Sequence, residues 1–199
     1  MAAGQKAASR GEYAAAERNF SGAIAKGERF GRNDLRVAQA VSQLAQVYVA
    51  QGKFVDAEPL YLRALHIYEE SRGNEHLDVA ATVNNLGVLH KMHGQYAAAE
   101  PYLVRALAIK EKLLGTEDPE VALSLHNLAS LYVAQERYEQ AEPLFRRAIA
   151  IRERGAHGPE LAKSLEQYAG VLRRVGRAVE AEAIEARAKE VRSGTSPAS

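Results

Sequence analysis

Apolar and polar positions alternate along this chain with the period of a helix, in two kinds of segment. In the stretch from Val79 to Met92, Val79, Val83, Leu86 and His90 fall at i, i+4, i+7 and i+11, one face of a helix, with Leu89 beside them. From Tyr96 onward, Tyr96, Ala99, Leu103, Ala106 and Ile109 trace a second such stripe. Polar positions between the stripes are filled largely by Glu, Arg, Gln and Lys, which favour helices. The pattern predicts an all-α chain of amphipathic helices joined by short connectors.

Both segment types repeat. The second recurs as FVDAEPLYLRALHIYEE, YAAAEPYLVRALAIKEK and YEQAEPLFRRAIAIRER, beginning at Phe54, Tyr96 and Tyr138, 42 residues apart. Weaker copies begin near Arg10 and Val175. The first recurs as VAQAVSQLAQVYVA, VAATVNNLGVLHKM, VALSLHNLASLYVA and LAKSLEQYAGVLRR, from Val37, Val79, Val121 and Leu161. Units are therefore expected at about 1–33, 34–75, 76–117, 118–157 and 158–192, in one domain with a disordered tail over 193–199. The first unit is incomplete, since nine residues precede Arg10. If that stretch fails to cover the next helix, Ala14, Phe20 and Ile24 are left open.

The connectors carry stop and start signals. Gly52, Gly94 and Gly176 stand where a helix end needs a left-handed residue. Asp118 before Pro119 reads as a cap followed by a first-turn proline, and Gly158-Pro159 resembles it. Ala57, Ala99, Ala141 and Ala181 share one repeat position, and Ala64, Ala106, Ala148 and Ala188 another. Seven residues apart on nearly the same face, such alanines allow close helix approach. Tyr61, Leu103 and Phe145 fill the space between, and Glu185 gives the last unit a polar outer face, as a cap requires. Pro59, Pro101 and Pro143 recur near helix starts, where a slight bend is expected. Glu100, Arg105, Lys110 and Glu111 read as solvated or paired along their helix.

Leu86-Gly87, Tyr96, Ala99, Leu103 and Ala106 stand at offsets that resemble the tetratricopeptide repeat. The longer period, with NNLGVLH, GQYAAAEPYLVRALAIKEKLLG and DPEVA, is similar to repeats of the kinesin light chain type. The aromatic that the family places early in the first helix is replaced by Val41, Val83 and Leu125. No heptad segment accompanies the repeats. The resemblance implies a right-handed superhelical solenoid of about five helix-turn-helix units, with first helices lining a concave protein- or peptide-binding surface and second helices outside.

On that expectation the first helices carry the candidate contacts. Gln43, Asn85, Asn127 and Gln167 form a carboxamide ladder, able to donate to and accept from a peptide backbone at once. The same amides also suit hydrogen bonds that hold neighbouring helices together. Around them stand Gln39, Ser42, Asn84, His126 and Glu166, then Gln46, Val88 and Ser130 one turn on. Lys91, Lys163, Arg173 and Arg174 bias one end toward an acidic peptide, although cations also suit a helix C-terminus.

Composition narrows the rest. Lys and Arg number 26 against 25 Asp and Glu, so no bulk charge draws the chain to nucleic acid or anionic membrane. Cys is absent, which removes thiolate and disulfide chemistry and suits a cytoplasmic setting. His90 and His93 lack a third ligand at useful spacing, and His90 aligns with Tyr48 and Tyr132, so it reads as packing rather than metal binding. No nucleophile elbow or phosphate loop occurs. The expectation is a non-catalytic module without cofactor or metal that binds a protein or peptide. End-to-end self-assembly through the terminal units is the second reading.

Overall fold

The computed structural model describes residues 1–155 and 158–194. These form ten helices and no strand: α1 (Ala2–Ser9), α2 (Tyr13–Glu28), α3 (Leu35–Ala50), α4 (Phe54–Arg72), α5 (Leu77–Met92), α6 (Tyr96–Leu114), α7 (Pro119–Ala134), α8 (Tyr138–Arg154), α9 (Gly158–Arg174) and α10 (Ala178–Ser193). Residues 195–199 of the expected tail, and Ala156 and His157, lie outside the described residues. Ser193 instead closes α10, and Gly194 caps it at φ 69°.

Helix starts follow local chemistry. The Asp34 carboxylate accepts from Arg36 N at 2.8 Å, and Asp118 accepts from Glu120 N at 2.8 Å ahead of Pro119. These bonds satisfy amides that the first helical turn leaves open. Asp34 also pairs with the Arg36 guanidinium, and these bonds hold its carboxyl down at about 2. His76 substitutes for an acidic cap at α5, with Nδ1 accepting from Asp78 N at 3.1 Å. Helix-pair turns close through Gly52, Gly94 and Gly176 at φ 74°, 78° and 80°. The α7–α8 turn departs from this, placing Glu136 at φ 59° where its counterparts are glycine.

The chain divides into two compact bodies, Met1–Ile109 and Lys110–Ser199. In the first, α1 packs on α2, α2 on α3, α3 on α4 and α4 on α5. Its core joins Val41, Ala45, Ala57, Tyr61, Ala64, Ile67, Val83 and Leu86. Burial holds the Tyr61 hydroxyl well above the usual phenol range. Gly87 lets α5 and α6 approach: a Cβ there would stand 2.6 Å from Leu103 Cγ. The expectation of an open N-terminal face is corrected at Phe20. The short α1 lays Gly4 against its ring, leaving it 1% exposed. Ile24 is half-buried and Ala14 stays exposed.

In the second body α7 packs on α8, α8 on α9, and α9 on α10. Phe145, Leu165, Tyr168, Ala169 and Leu172 form its core with Ala141 and Ala181. Pro59, Pro101 and Pro143 each stand five residues into a helix that runs unbroken through them. Each removes one backbone bond near a helix start.

The second helices are also joined to one another by a recurring arginine–glutamate pair. Arg105 donates to Glu69 at 2.7 Å, reaching back to the preceding second helix, and lies 3.5 Å from Asn74 O. Arg63 repeats this with Glu28 and Arg32 O, and Arg147 with Glu111 and Thr116 O at 3.1 Å. Arg187 pairs with Glu153 at 2.6 Å. These charges join successive repeats rather than turns of one helix.

Candidate functional site

In the first body α3 and α5 present the predicted contacts. Gln39 and Gln46 are exposed; Ser42, Gln43, Asn85, Val88 and Lys91 are half-buried. Gln43 is engaged locally, donating to Gln46 Oε1 at 3.3 Å and accepting from Gln5 of α1 at 3.4 Å. Asn84 is only 8% exposed, so it stands largely inside rather than on the open face. His90 is buried as expected: its Nδ1 lies 2.6 Å from Gln95 Oε1, and its ring stacks on Tyr102.

In the second body α7 and α9 carry the rest. Asn127, Ser130 and Gln167 are half-buried, while Lys163, Glu166, Arg173 and Arg174 are exposed. The basic bias is narrower than the sequence suggested. Arg173 pairs with Glu185 of α10 at 2.5 Å, and Glu166 pairs with Arg192. Among the described residues, the side chains of Lys163 and Arg174 have no ion-pair or hydrogen-bond partner.

His126 lies inside, 4% exposed, with its ring edge-on to Phe145. Its Nδ1 is 2.8 Å from Ser164 Oγ and 3.4 Å from Arg152 Nη1. A guanidinium only donates, so Nδ1 acts as acceptor. Arg152 also donates to Ser164 Oγ and, at 3.0 Å, to Glu160 O. Burial pulls the Arg152 guanidinium below its usual range, with Glu160 partly opposing that shift. This cluster joins α7, α8 and α9. Position 126 thus points into the body, where Ser164 and Arg152 give its ring polar partners.

A cleft of about 370 Å³ lies between α7 and α9, lined by Ser130, Val133, Tyr138, Gln167, Gly170 and Arg174 among others. Gln167 Oε1 is the one buried side-chain polar atom among the described residues that lacks a hydrogen-bond partner. Sequence alone could not single it out, since Gln167 repeats the pattern of Gln43, Asn85 and Asn127.

The arrangement is a set of paired helices with amides on the first helix of each pair, and comparison with known proteins places it. The tetratricopeptide repeat profile matches residues 4–70, 36–112, 94–154 and 120–194. The chain belongs to the tetratricopeptide repeat family. Among solved structures, this tetratricopeptide repeat chain is similar to BtubC (BKLC) from P. vanneervenii, with 26% identity and a TM-score of 0.86 over 98% of this chain and 79% of that one. A Podosopora anserina putative kinesin light chain with nearly identical TPR-like repeats matches at 22% identity and TM-score 0.81, covering 96% and 92%. Aspartyl phosphate phosphatase F from Bacillus subtilis matches at 19% and 0.82, covering 96% and 49%. The last two likenesses speak to fold alone. No curated protein matches the sequence significantly. The tetratricopeptide repeats support a protein-interaction or scaffold role. No helix among the described residues is long and apolar enough to cross a membrane.

Proposed function

We propose that the first helices of the repeats bind an extended segment of a partner protein, with no chemistry performed on it. The observation that carries this reading is the carboxamide at one repeat position, Gln43, Asn85, Asn127 and Gln167, half-buried each time. A half-buried amide keeps part of its surface for a ligand while its helix fixes its direction. Such prior fixing lowers the entropy lost on binding. The exposed cations Lys163 and Arg174 favour acidic residues in the partner. Self-assembly through the N-terminal end has lost one support, because α1 covers Phe20.

The test is a displayed short-peptide library selected on the full chain, with the selected peptides measured again on Asn85→Ala plus Asn127→Ala. The expected result is binding weakened by roughly tenfold, the value of one or more lost hydrogen bonds. Binding undiminished by the double substitution would remove the ladder from the mechanism.

A further inference from the structure

Two departures from the repeat pattern and one unpartnered buried acceptor converge on the α7–α9 cleft, and each works against local stability. Glu136 holds a left-handed backbone at φ 59°, where Gly52, Gly94 and Gly176 occupy the same turn position. A side chain with a Cβ is strained in that region. Gly170 stands inside α9, where the counterpart residues are Gln46, Val88 and Ser130. Glycine weakens a helix interior, and nothing lies within 4 Å of where its Cβ would be, so no close contact demands it. Gln167 keeps a buried oxygen without a partner. An unsatisfied buried acceptor is a cost that folded chains rarely retain. Strain gathered at one place is grounds for assigning it a use.

We infer that this cleft is a pocket for a basic side chain, arginine or lysine, of the partner segment. The inference rests on the proposed function and deepens it. Glu136 is exposed on the cleft wall, and its carboxylate has no ion-pair or hydrogen-bond partner among the described residues. Glu139 is likewise unpaired in the adjoining cleft, which shares Glu136 and Tyr138. Two exposed carboxylates and one unpartnered amide oxygen are acceptors awaiting donors. Arginine and lysine carry only donors, and bonds to charged groups are the stronger kind. A turn about the last torsion of Gln167, which is a soft one, brings its oxygen to a donor in the cleft. The absent side chain at Gly170 leaves room, and Val133 and Tyr138 offer apolar surface to the methylene stem of the guest. Arg174 also lines the cleft and carries the opposite charge. The segment that fits therefore places an acidic residue beside its basic one.

The test uses the full chain and a phage-displayed peptide library, followed by fluorescence anisotropy of the selected peptides on four proteins. These are the parent, Glu136→Gly, Gly170→Val and Asn127→Ala. The first two substitutions restore residues that sibling repeats carry, so thermal unfolding at or above the parent temperature is expected and loss of fold cannot mimic the result. Selected peptides should share an arginine or lysine whose change to glutamine weakens binding roughly tenfold on the parent. That change should have a clearly smaller effect on Glu136→Gly, which starts from the weaker value. Gly170→Val should also weaken binding by blocking the space. Peptides that lack a shared basic residue, or that bind Glu136→Gly as tightly as the parent while losing affinity on Asn127→Ala, would overturn the pocket and leave the groove standing. A library that yields no binder refutes the groove reading and the pocket with it.

Discussion

Gly87→Ala isolates the closest helix approach in the first body. An added Cβ would lie 2.6 Å from Leu103 Cγ, 2.7 Å from its Cδ2 and 3.2 Å from Ala99 O. Carbon atoms rest comfortably at about 3.5–4.0 Å, so Leu103 or α6 must move by roughly 1 Å. Leu103 is fully buried in a well-packed core and has little room to do so. Overpacking of this kind costs about 1–3 kcal/mol. Against it stands the helix preference for alanine over glycine, about 0.5–1 kcal/mol. The net expectation is a loss of about 0.5–2 kcal/mol, or a few degrees of melting temperature at this length. Sibling repeats carry Ala45 and Ala129 at this position, and share their cores with Tyr61 and Phe145, whose flat rings stand where the branched Leu103 does. Leu103→Phe should therefore recover part of the loss in the double variant. Urea denaturation followed by far-UV circular dichroism measures all four proteins of that cycle. A Gly87→Ala protein more stable than its parent by the full helix-preference term, or strictly additive doubles, would refute the packing argument.

Arg105→Ala should cost about 1 kcal/mol, above an isolated surface pair, because Glu69 loses its partner while Asn74 O loses a nearby cation; chemical denaturation checks it. Glu142 predicts a pH dependence. Burial raises its carboxyl, but hydrogen bonds from Arg177 and Tyr168, with the charges of Arg146 and Arg177, outweigh burial and hold it below its ordinary value of 4.5. A lowered folded value means the stabilisation is complete above the unfolded value and disappears as pH falls through the folded one. Below about pH 4.5 the parent should lose stability faster than Glu142→Gln, as read from melting temperature against pH; parallel curves would contradict the assignment. Glu136→Gly should stabilise by about 1 kcal/mol, since it relieves a left-handed side-chain residue; a lower melting temperature would show that Glu136 is instead held by contacts worth more than its strain.

Much of this architecture was legible because the repeat is redundant. The period of 42 and the paired apolar stripes place α3 through α8 without ambiguity, and Asp118-Pro119 marks a helix start as local chemistry requires. The first helix escaped because AAGQKAAS carries little apolar contrast; its role appears only when Gly4 meets Phe20. The candidate face was less legible. Asn84 and His126 lie one residue before the carboxamides, and a helix rotation of a few tens of degrees decides whether such a position faces solvent or core. His126 went inward because Ser164 and Arg152 offered polar partners there. The Arg63, Arg105, Arg147 and Arg187 ladder was visible as a recurrence, and aligning it with Glu28, Glu69, Glu111 and Glu153 would have found it. Glu136 was also present in the alignment of turn glycines, but only its backbone angle shows what the substitution costs.

The central claim is that the first helices hold a partner segment through fixed amides. Amide chemical-shift mapping of the full chain, titrated with a peptide selected from the library, tests it most directly. The account predicts shifts concentrated around Asn85 on α5 and around Asn127 and Gln167 on α7 and α9, with the second helices α4, α6 and α8 nearly unmoved beyond the first turn of α8, which lines the cleft. Shifts confined to the second helices, or to the outer face of α10, would contradict it.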